Sequence, residues 1–117
     1  MTLKNFELWE FSCPCCKDVK MQNDFLQMID RARSLSGIPF VITSGYRCAK
    51  HNKSVGGKDN SAHITGHAAD IACITSKARH KIVQSLLNVG FNRIGISSDF
   101  IHADNDPGKP ENVIWNY

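Results

Sequence analysis

A single aspartate interrupts an otherwise apolar run at residues 68–74, which reads AADIACI. An apolar run of this length is typical of a buried strand. Burial of an unpaired carboxylate would cost several kcal/mol, so Asp70 needs a cation or hydrogen-bond donors inside the fold. The chain must therefore fold so that compensating groups lie next to this residue.

Regular elements are predicted on both sides of this strand. Asn23 or Asp24 can cap a helix that ends at Gly37, and residues 38–43 then form a short apolar strand. A second helix is predicted to begin at Ser76 and to end at a glycine. The residues expected to face inward are Phe25, Met28, Ile29, Ala32 and Leu35 in the first helix, and Ile82, Val83, Leu86 and Leu87 in the second.

The remaining segments complete the predicted fold class. Residues 44–66 are polar and broken by glycines, which indicates a long loop of the kind that often carries function. Residues 92–105 and 113–117 alternate apolar and polar positions around turn signals, which predicts two or three antiparallel strands. We therefore expect an α+β fold, with a small, mainly antiparallel sheet and flanking helices. Residues 1–117 are expected to form one domain, because the sequence has no repeat and no linker.

Composition limits the classes of function. Hydrophobic residues make up 42% of the chain and charged residues 21%, which is typical of a soluble globular protein. The net charge of +3 is spread along the chain with no basic and aromatic platform, so we expect no nucleic-acid binding. No apolar run approaches the ~20 residues of a membrane span. Residues 1–12 lack the pattern of an export signal, so we expect synthesis and folding in the cytoplasm.

The loop and the strand together offer ligands for a metal ion. His63 lies in the glycine-broken loop seven residues before Asp70, and this pair supplies one nitrogen and one oxygen ligand. A third ligand is expected from His102, which lies in a later predicted strand. A catalytic zinc site has three protein ligands and an acid/base group nearby, and Asp99 is the natural candidate for that group.

The position of this base raises a geometric difficulty. Strict strand alternation places Asp99 and His102 on opposite faces of a strand, so the turn at residues 97–98 would have to bend Asp99 inward. Asp104 shares the face of His102, and it is the alternative base or a hydrogen-bond partner of a ligand histidine.

Other histidine pairings are weaker. His63 and His67 have the spacing of a helical zinc pair, but residues 65–66 are poor helix formers and no HExxH motif is present. His51 and His80 are expected in a loop and on a helix surface.

The cysteines form a second possible centre. The five cysteines are Cys13, Cys15, Cys16, Cys48 and Cys73. A full disulfide framework is not expected from an odd number of cysteines in a chain without an export signal. The cluster at residues 13–16 could hold a structural zinc or a redox centre, but no second Cys or His pair lies nearby in the sequence. We therefore expect reduced or buried thiols.

Several motifs in order resemble the zinc D-alanyl-D-alanine carboxypeptidase family, over about residues 6–117. The matching segments are SGYRCAKHN at 44–52, VGG at 55–57, SAHITGHAAD at 61–70, RIGI at 93–96 and DFIHAD at 99–104. The resemblance implies the fold shared by these peptidases and the hedgehog signalling domain. It also implies one catalytic Zn²⁺ ion, whose matching ligands are His63, Asp70 and His102.

The resemblance assigns roles to three more residues. Asp99 matches the acidic general base, although only part of the family has an aspartate there. Arg47 matches an arginine that binds the scissile carbonyl or a substrate carboxylate, and a structural salt bridge is the alternative role. Ser61 is expected to orient the substrate or a ligand.

The implied activity is hydrolysis of peptide bonds in bacterial peptidoglycan stem peptides. Related proteins are D-Ala-D-Ala carboxypeptidases or L-Ala-D-Glu endopeptidases, and the second type includes phage endolysins that reach the cell wall during lysis. The sequence leaves the bond and the oligomeric state open. A zinc-binding recognition module without catalysis is the alternative function, because the hedgehog branch shares the fold.

Overall fold

The computed structural model describes residues 2–117, which form three α-helices and one five-stranded sheet. The helices are α1 (Asn23–Ser36), α2 (Ala49–Ser54) and α3 (Ser76–Asn88), and the strands are β1 (Ile42–Ser44), β2 (Ala68–Ala72), β3 (Arg93–Ile96), β4 (Phe100–Asp104) and β5 (Val113–Asn116). The strand order is β1-β2-β4-β3-β5, and every neighbouring pair is antiparallel except β3 with β5. The predicted α+β class with a mainly antiparallel sheet is confirmed.

The two faces of the sheet have different roles, as the period of two along a strand requires. One face packs against α1 and α3 and forms the hydrophobic core. Its fully buried residues are Ala69, Ile71, Ile94, Ile101 and Ala103. The opposite face carries Asp70 and His102, together with the polar and aromatic residues of an open pocket. The helices therefore cover the apolar face and leave the polar face accessible.

The two long helices form at the predicted places, with differences at their ends. The N-cap of α1 is Gln22 rather than Asn23 or Asp24, so the predicted cap is wrong by one or two positions. Leu35 is 61% exposed in the last turn of α1, and Leu87 is 45% exposed, so neither joins the core. A helical turn of about 100° per residue rotates Leu87 away from the buried side of α3. No helix within residues 2–117 has the length and apolar character that a membrane crossing requires.

The predicted strands also differ from the observed strands in two places. The first strand is confined to β1, and Pro39 in the predicted run of residues 38–43 has no N–H to donate to a sheet. The last strand, β5, lies parallel to β3 rather than antiparallel to its neighbour. Residues 105–112 carry the chain past β3 to the outer edge of the sheet instead of forming a tight hairpin with β4.

Candidate metal centre

Three buried side chains converge on the open face of the sheet. Asp70 on β2 and His102 on β4 are directly paired in the strand register, and His63 comes from the turn that precedes β2. Asp70 Oδ1 lies 2.9 Å from His102 Nδ1 and 3.3 Å from His63 Nε2. One ligand atom from each residue can be chosen so that all lie within 4.8 Å of one another. The structure therefore brings together the three ligands that the sequence predicts.

The outer nitrogens of both histidines are held by acceptors. His63 Nδ1 donates to the carbonyl oxygen of Gly45 at 2.8 Å, and His102 Nε2 donates to Asp104 Oδ2 at 2.7 Å. When a metal ion takes the place of the inner protons, each outer bond keeps the tautomer whose inner nitrogen lone pair faces the ion. Histidines that bind metals have this arrangement, with the second nitrogen bonded to a carbonyl or carboxylate. Two nitrogens and one carboxylate oxygen, held in this way, fit a zinc ion with open coordination positions.

Electrostatics make the cluster attractive to a cation. Burial by itself would raise the pKa of Asp70, but hydrogen bonds and charge interactions with His102 and His63 hold that pKa far below its usual range. Burial also opposes charge on Asp104, and pairing with His102 and Arg93 lowers its pKa. Both carboxyl groups are therefore ionised at neutral pH. Burial disfavours the charged form of His102, yet bonds to Asp104 and Asp70 raise its pKa.

Arg47 reaches the edge of the cluster from the loop after β1. Its Nε donates to Ser44 Oγ at 3.0 Å, and its Nη1 donates to Asn52 Oδ1 at 3.2 Å. Its Nη2 lies 3.5 Å from Asp70 Oδ2. The guanidinium is thus fixed beside the metal ligands and lines the pocket, where its remaining N–H groups can meet a substrate oxygen.

Ser61 lies at the rim of the same pocket. Its hydroxyl oxygen accepts a hydrogen bond from the His63 backbone N–H at 3.2 Å, so it supports the turn that carries this ligand. The structure therefore places Ser61 next to the site, as the sequence predicts.

Asp99 does not reach the site. Its carbonyl accepts a hydrogen bond from Cys73 N at 2.9 Å, so the regular pairing of β2 and β4 continues through this residue. Strand alternation then turns the Asp99 side chain away from His102. The carboxylate is exposed and bonds to Ser97 Oγ at 3.3 Å. The expected inward bend of residues 97–98 is therefore wrong, and Asp104 is the carboxylate that lies beside His102.

The other histidines lie outside the cluster. His67 Nδ1 bonds to Thr65 Oγ1 at 2.8 Å, and the His63–His67 zinc pair is not formed. His51 lies in the short helix α2, so its predicted place in a loop is wrong, and His80 is exposed on α3 as predicted.

An open pocket of about 620 Å³ lies over the candidate metal ligands. Most of the residues in its walls carry no functional signal in the sequence. An aromatic wall consists of Phe100, Trp115 and Tyr117, and basic residues on other sides are Lys58, Arg93 and Lys109. The guanidinium carbon of Arg93 lies 5.2 Å from the centre of the Trp115 ring, and the His102 ring is 5.4 Å from the same indole.

Asn52 is another residue that the sequence analysis did not single out. It is 2% exposed, it accepts from Arg47, and its Nδ2 donates to the Lys58 carbonyl at 2.8 Å. Its place five residues after Arg47 in the motif SGYRCAKHN was the only sequence signal. Asn52 therefore connects α2 and the basic rim to the guanidinium.

The fold and the site define a class of metal-binding α+β proteins, with two histidines and an aspartate at the floor of a pocket on the open face of the sheet. The chain belongs to the Peptidase M15 family, whose model matches residues 4–104. The predicted family resemblance is thereby confirmed. The matched range contains the three candidate ligands and also Arg47 and Asp104.

Two known proteins show the likeness in more detail. A zinc D-Ala-D-Ala carboxypeptidase of Streptomyces albus G is 38% identical over 56 residues, which is 48% of this chain and 22% of that protein. The crystal structure of the L-Ala D-Glu endopeptidase ChiX from Serratia marcescens matches with a TM-score of 0.51 and 20% identity, over 60% of this chain and 62% of that chain. The likeness to the endopeptidase structure supports the fold. This chain matches about a fifth of the carboxypeptidase and less than two thirds of the endopeptidase.

Proposed function

We propose that this protein is a zinc-dependent peptidase that hydrolyses peptide bonds in the stem peptides of bacterial peptidoglycan. The observation that carries the proposal is the buried cluster of His63, Asp70 and His102 at the floor of an open pocket. Membership of the Peptidase M15 family supports the reaction class. The names of the two similar proteins support two types of bond, D-Ala-D-Ala and L-Ala-D-Glu.

The residues around the ligands prepare the site for the metal. Gly45 and Asp104 hold the two imidazole rings so that each presents one lone pair inward. When bound, a zinc ion would supply a Lewis acid and lower the pKa of a water molecule. Asp70 supplies the negative charge that a divalent cation needs in a buried position.

Arg47 and Ser61 are the proposed substrate-binding groups. Arg47 is anchored by Ser44 and Asn52, so its guanidinium is preorganised to donate to the scissile carbonyl or to a substrate carboxylate. The Ser61 hydroxyl accepts from His63 N, which leaves its own proton to donate to a substrate oxygen.

The proton acceptor is the part of the mechanism in which sequence and structure differ. Asp104 is 1% exposed and bonds to both His102 and Arg93, so we assign it the positioning of His102. Asp99 is exposed outside the pocket, and it would act as the base only if residues 97–99 moved. An Asp99→Asn variant that retains wild-type turnover would remove it from the mechanism.

The walls of the pocket fit an anionic peptide. Lys58, Arg93 and Lys109 supply positive charge for carboxylates, and the aromatic wall supplies apolar surface for short side chains. Action at the cell wall, including lysis as an endolysin, is part of this proposal. Added protein should then reduce the turbidity of permeabilised bacteria.

The test combines metal analysis with digestion of purified peptidoglycan. Wild-type protein should release stem-peptide fragments whose masses identify the bond, and a chelator should abolish the release. His63→Ala and Asp70→Asn should lose cutting, and each should be shown to be folded by circular dichroism. Zinc binding without any product from cell-wall substrates would refute the peptidase and favour a recognition module.

A further inference from the structure

Four cysteines lie near one another at a second place, where the turn after residues 8–11 meets the loop after β1. Cys13 and Cys16 belong to the turn after the 3₁₀ helix at Leu8–Phe11, and Cys48 precedes α2. The sulfur atoms of these three residues all lie within 4.8 Å of one another. Cys15 is adjacent to Cys16 in the chain, and its exposed thiol is near enough to Cys48 for that residue to raise its pKa. All of these thiols are reduced, as expected, and the fold adds Cys48 from the loop after β1 as a partner that is not near residues 13–16 in the sequence.

We propose that Cys13, Cys16 and Cys48 bind a structural zinc ion, with Cys15 as the fourth ligand. This site is separate from the His63, Asp70 and His102 centre, and it does not depend on the proposed peptidase activity.

The sulfur spacing fits zinc better than a disulfide. Cys13 Sγ lies 3.7 Å from Cys48 Sγ. Zn–S bonds of about 2.3 Å in a tetrahedral site place neighbouring sulfurs about 3.8 Å apart. Bonded sulfurs in a disulfide are about 2.05 Å apart. The distance in this structure is therefore close to that of two thiolates that share one metal ion.

The local backbone is shaped like a metal-binding turn. Cys13 and Cys16 have the C-x-x-C spacing that zinc sites commonly use. Lys17 has a φ of 64°, and its N–H donates to the Cys13 carbonyl at 2.8 Å, which closes the turn. Both cysteines of the pair thus face the same side.

Backbone donors also point at the sulfurs. Cys48 N–H donates to Cys13 Sγ at 3.5 Å, and His51 N–H donates to Cys48 Sγ at 3.4 Å. Hydrogen bonds of this kind stabilise the negative charge that thiolate ligands bring to a zinc ion. Lys50 adds positive charge near Cys15.

The proposed zinc would join two segments that support the peptidase centre. Tyr46 N–H donates to the Phe11 carbonyl at 2.8 Å. A Cβ on Gly45 would lie 2.6 Å from Phe11 Cα, so only glycine permits this approach. The Gly45 carbonyl holds His63, and Arg47 adjoins Cys48. The cysteine site would therefore fix the segment that positions a metal ligand and the guanidinium.

The test is metal stoichiometry and cobalt spectroscopy on protein purified with a reductant. Wild-type protein should bind two zinc ions per chain, and His63→Ala and Cys48→Ser should each bind one. Cys73→Ser is the matched control, because Cys73 is a buried cysteine outside the cluster, and it should still bind two. The near-ultraviolet absorption of thiolate-bound cobalt should be present in His63→Ala and absent in Cys48→Ser.

Three results would overturn the proposal. The first is no cobalt–thiolate absorption in the wild-type protein. The second is equal alkylation rates of Cys13 and Cys48 with zinc and with a chelator. The third is a Cys13–Cys48 disulfide, detected by mass in the protein prepared without reductant and retained with zinc present. The spectrum and the alkylation use the wild-type chain, so they decide the question even if Cys48→Ser does not fold.

Discussion

Replacing Asp104 by asparagine should weaken zinc binding although it removes no metal ligand. Asp104 accepts from His102 Nε2 and from Arg93 Nε, both at 2.7 Å. Asparagine has the same size and one amide oxygen, but it has no charge, and its NH₂ group would face one of the two donors. His102 would then be held less firmly in the tautomer that presents Nδ1 to the metal.

The expected losses of zinc affinity and of stability follow from these two hydrogen bonds. Partners of metal-ligating histidines contribute roughly 10- to 100-fold to affinity, which equals about 1.4–2.8 kcal/mol. Arg93 also loses the carboxylate of its ion pair, and only 12% of its side chain is exposed to solvent. Arg93 still donates to the Pro110 carbonyl oxygen at 2.6 Å and still lies over the Trp115 ring. We therefore expect the loss of unfolding free energy to be limited to about 1–3 kcal/mol.

Two measurements separate these effects. Competition with a chromophoric chelator gives the zinc dissociation constant, and denaturant unfolding of metal-free protein gives the stability. Asp99→Asn is the matched control, because Asp99 is an exposed carboxylate that adjoins the same strand and faces away from His102. It should change neither quantity.

Unchanged zinc affinity in Asp104→Asn would refute the role given to the His102–Asp104 bond. A comparable loss in Asp99→Asn would show that residues 97–99 contact the site after all. A loss of stability without a loss of affinity would assign Asp104 to the fold alone.

Three further changes test the pocket and its charges. Metal-free protein should lose thermal stability as the pH rises above about 6.5. Two carboxylates raise the folded-state pKa of His102 against the effect of burial, so the stability that protonated His102 contributes is complete only below the ordinary histidine pKa. A Tm that rises over that pH range would contradict this expectation. Trp115→Ala should raise KM for a stem peptide about 3- to 10-fold with unchanged zinc content, because it removes one of the three side chains of the aromatic wall. Asn52→Ala should lower kcat/KM by roughly tenfold and leave zinc bound, because Arg47 loses its Nη1 partner; steady-state kinetics that match wild type would exclude this anchoring.

The residues of the candidate metal centre were predictable because their signals are local. A carboxylate inside an apolar run must be compensated wherever the run is buried, so Asp70 indicated a cation or hydrogen-bond donors from the sequence alone. The alternation of side chains along a strand also predicted correctly that Asp99 faces away from His102 and that Asp104 lies on the same side as His102. The position of Asp99 before His102 and the family resemblance both suggested an inward Asp99, and the regular β2–β4 ladder prevents it.

The remaining features depend on contacts between distant residues. Cys48 completes the cysteine cluster from 35 residues beyond Cys13, and no spacing rule connects two such positions. The parallel pairing of β5 with β3 depends on the path of residues 105–112, which pass β3 without a regular pattern. Trp115 therefore could be assigned to a strand, but not to the wall of the pocket.

The order of the strands gives the two halves of the pocket different local stability. The candidate metal ligands lie on or beside β2 and β4, which have neighbours on both sides. Trp115 lies on β5, which within residues 2–117 pairs with β3 alone. Amide hydrogens of β5 should therefore exchange with solvent sooner than those of β4. Opening of this outer strand would widen the cleft for a bulky polymer while the ion stays in place.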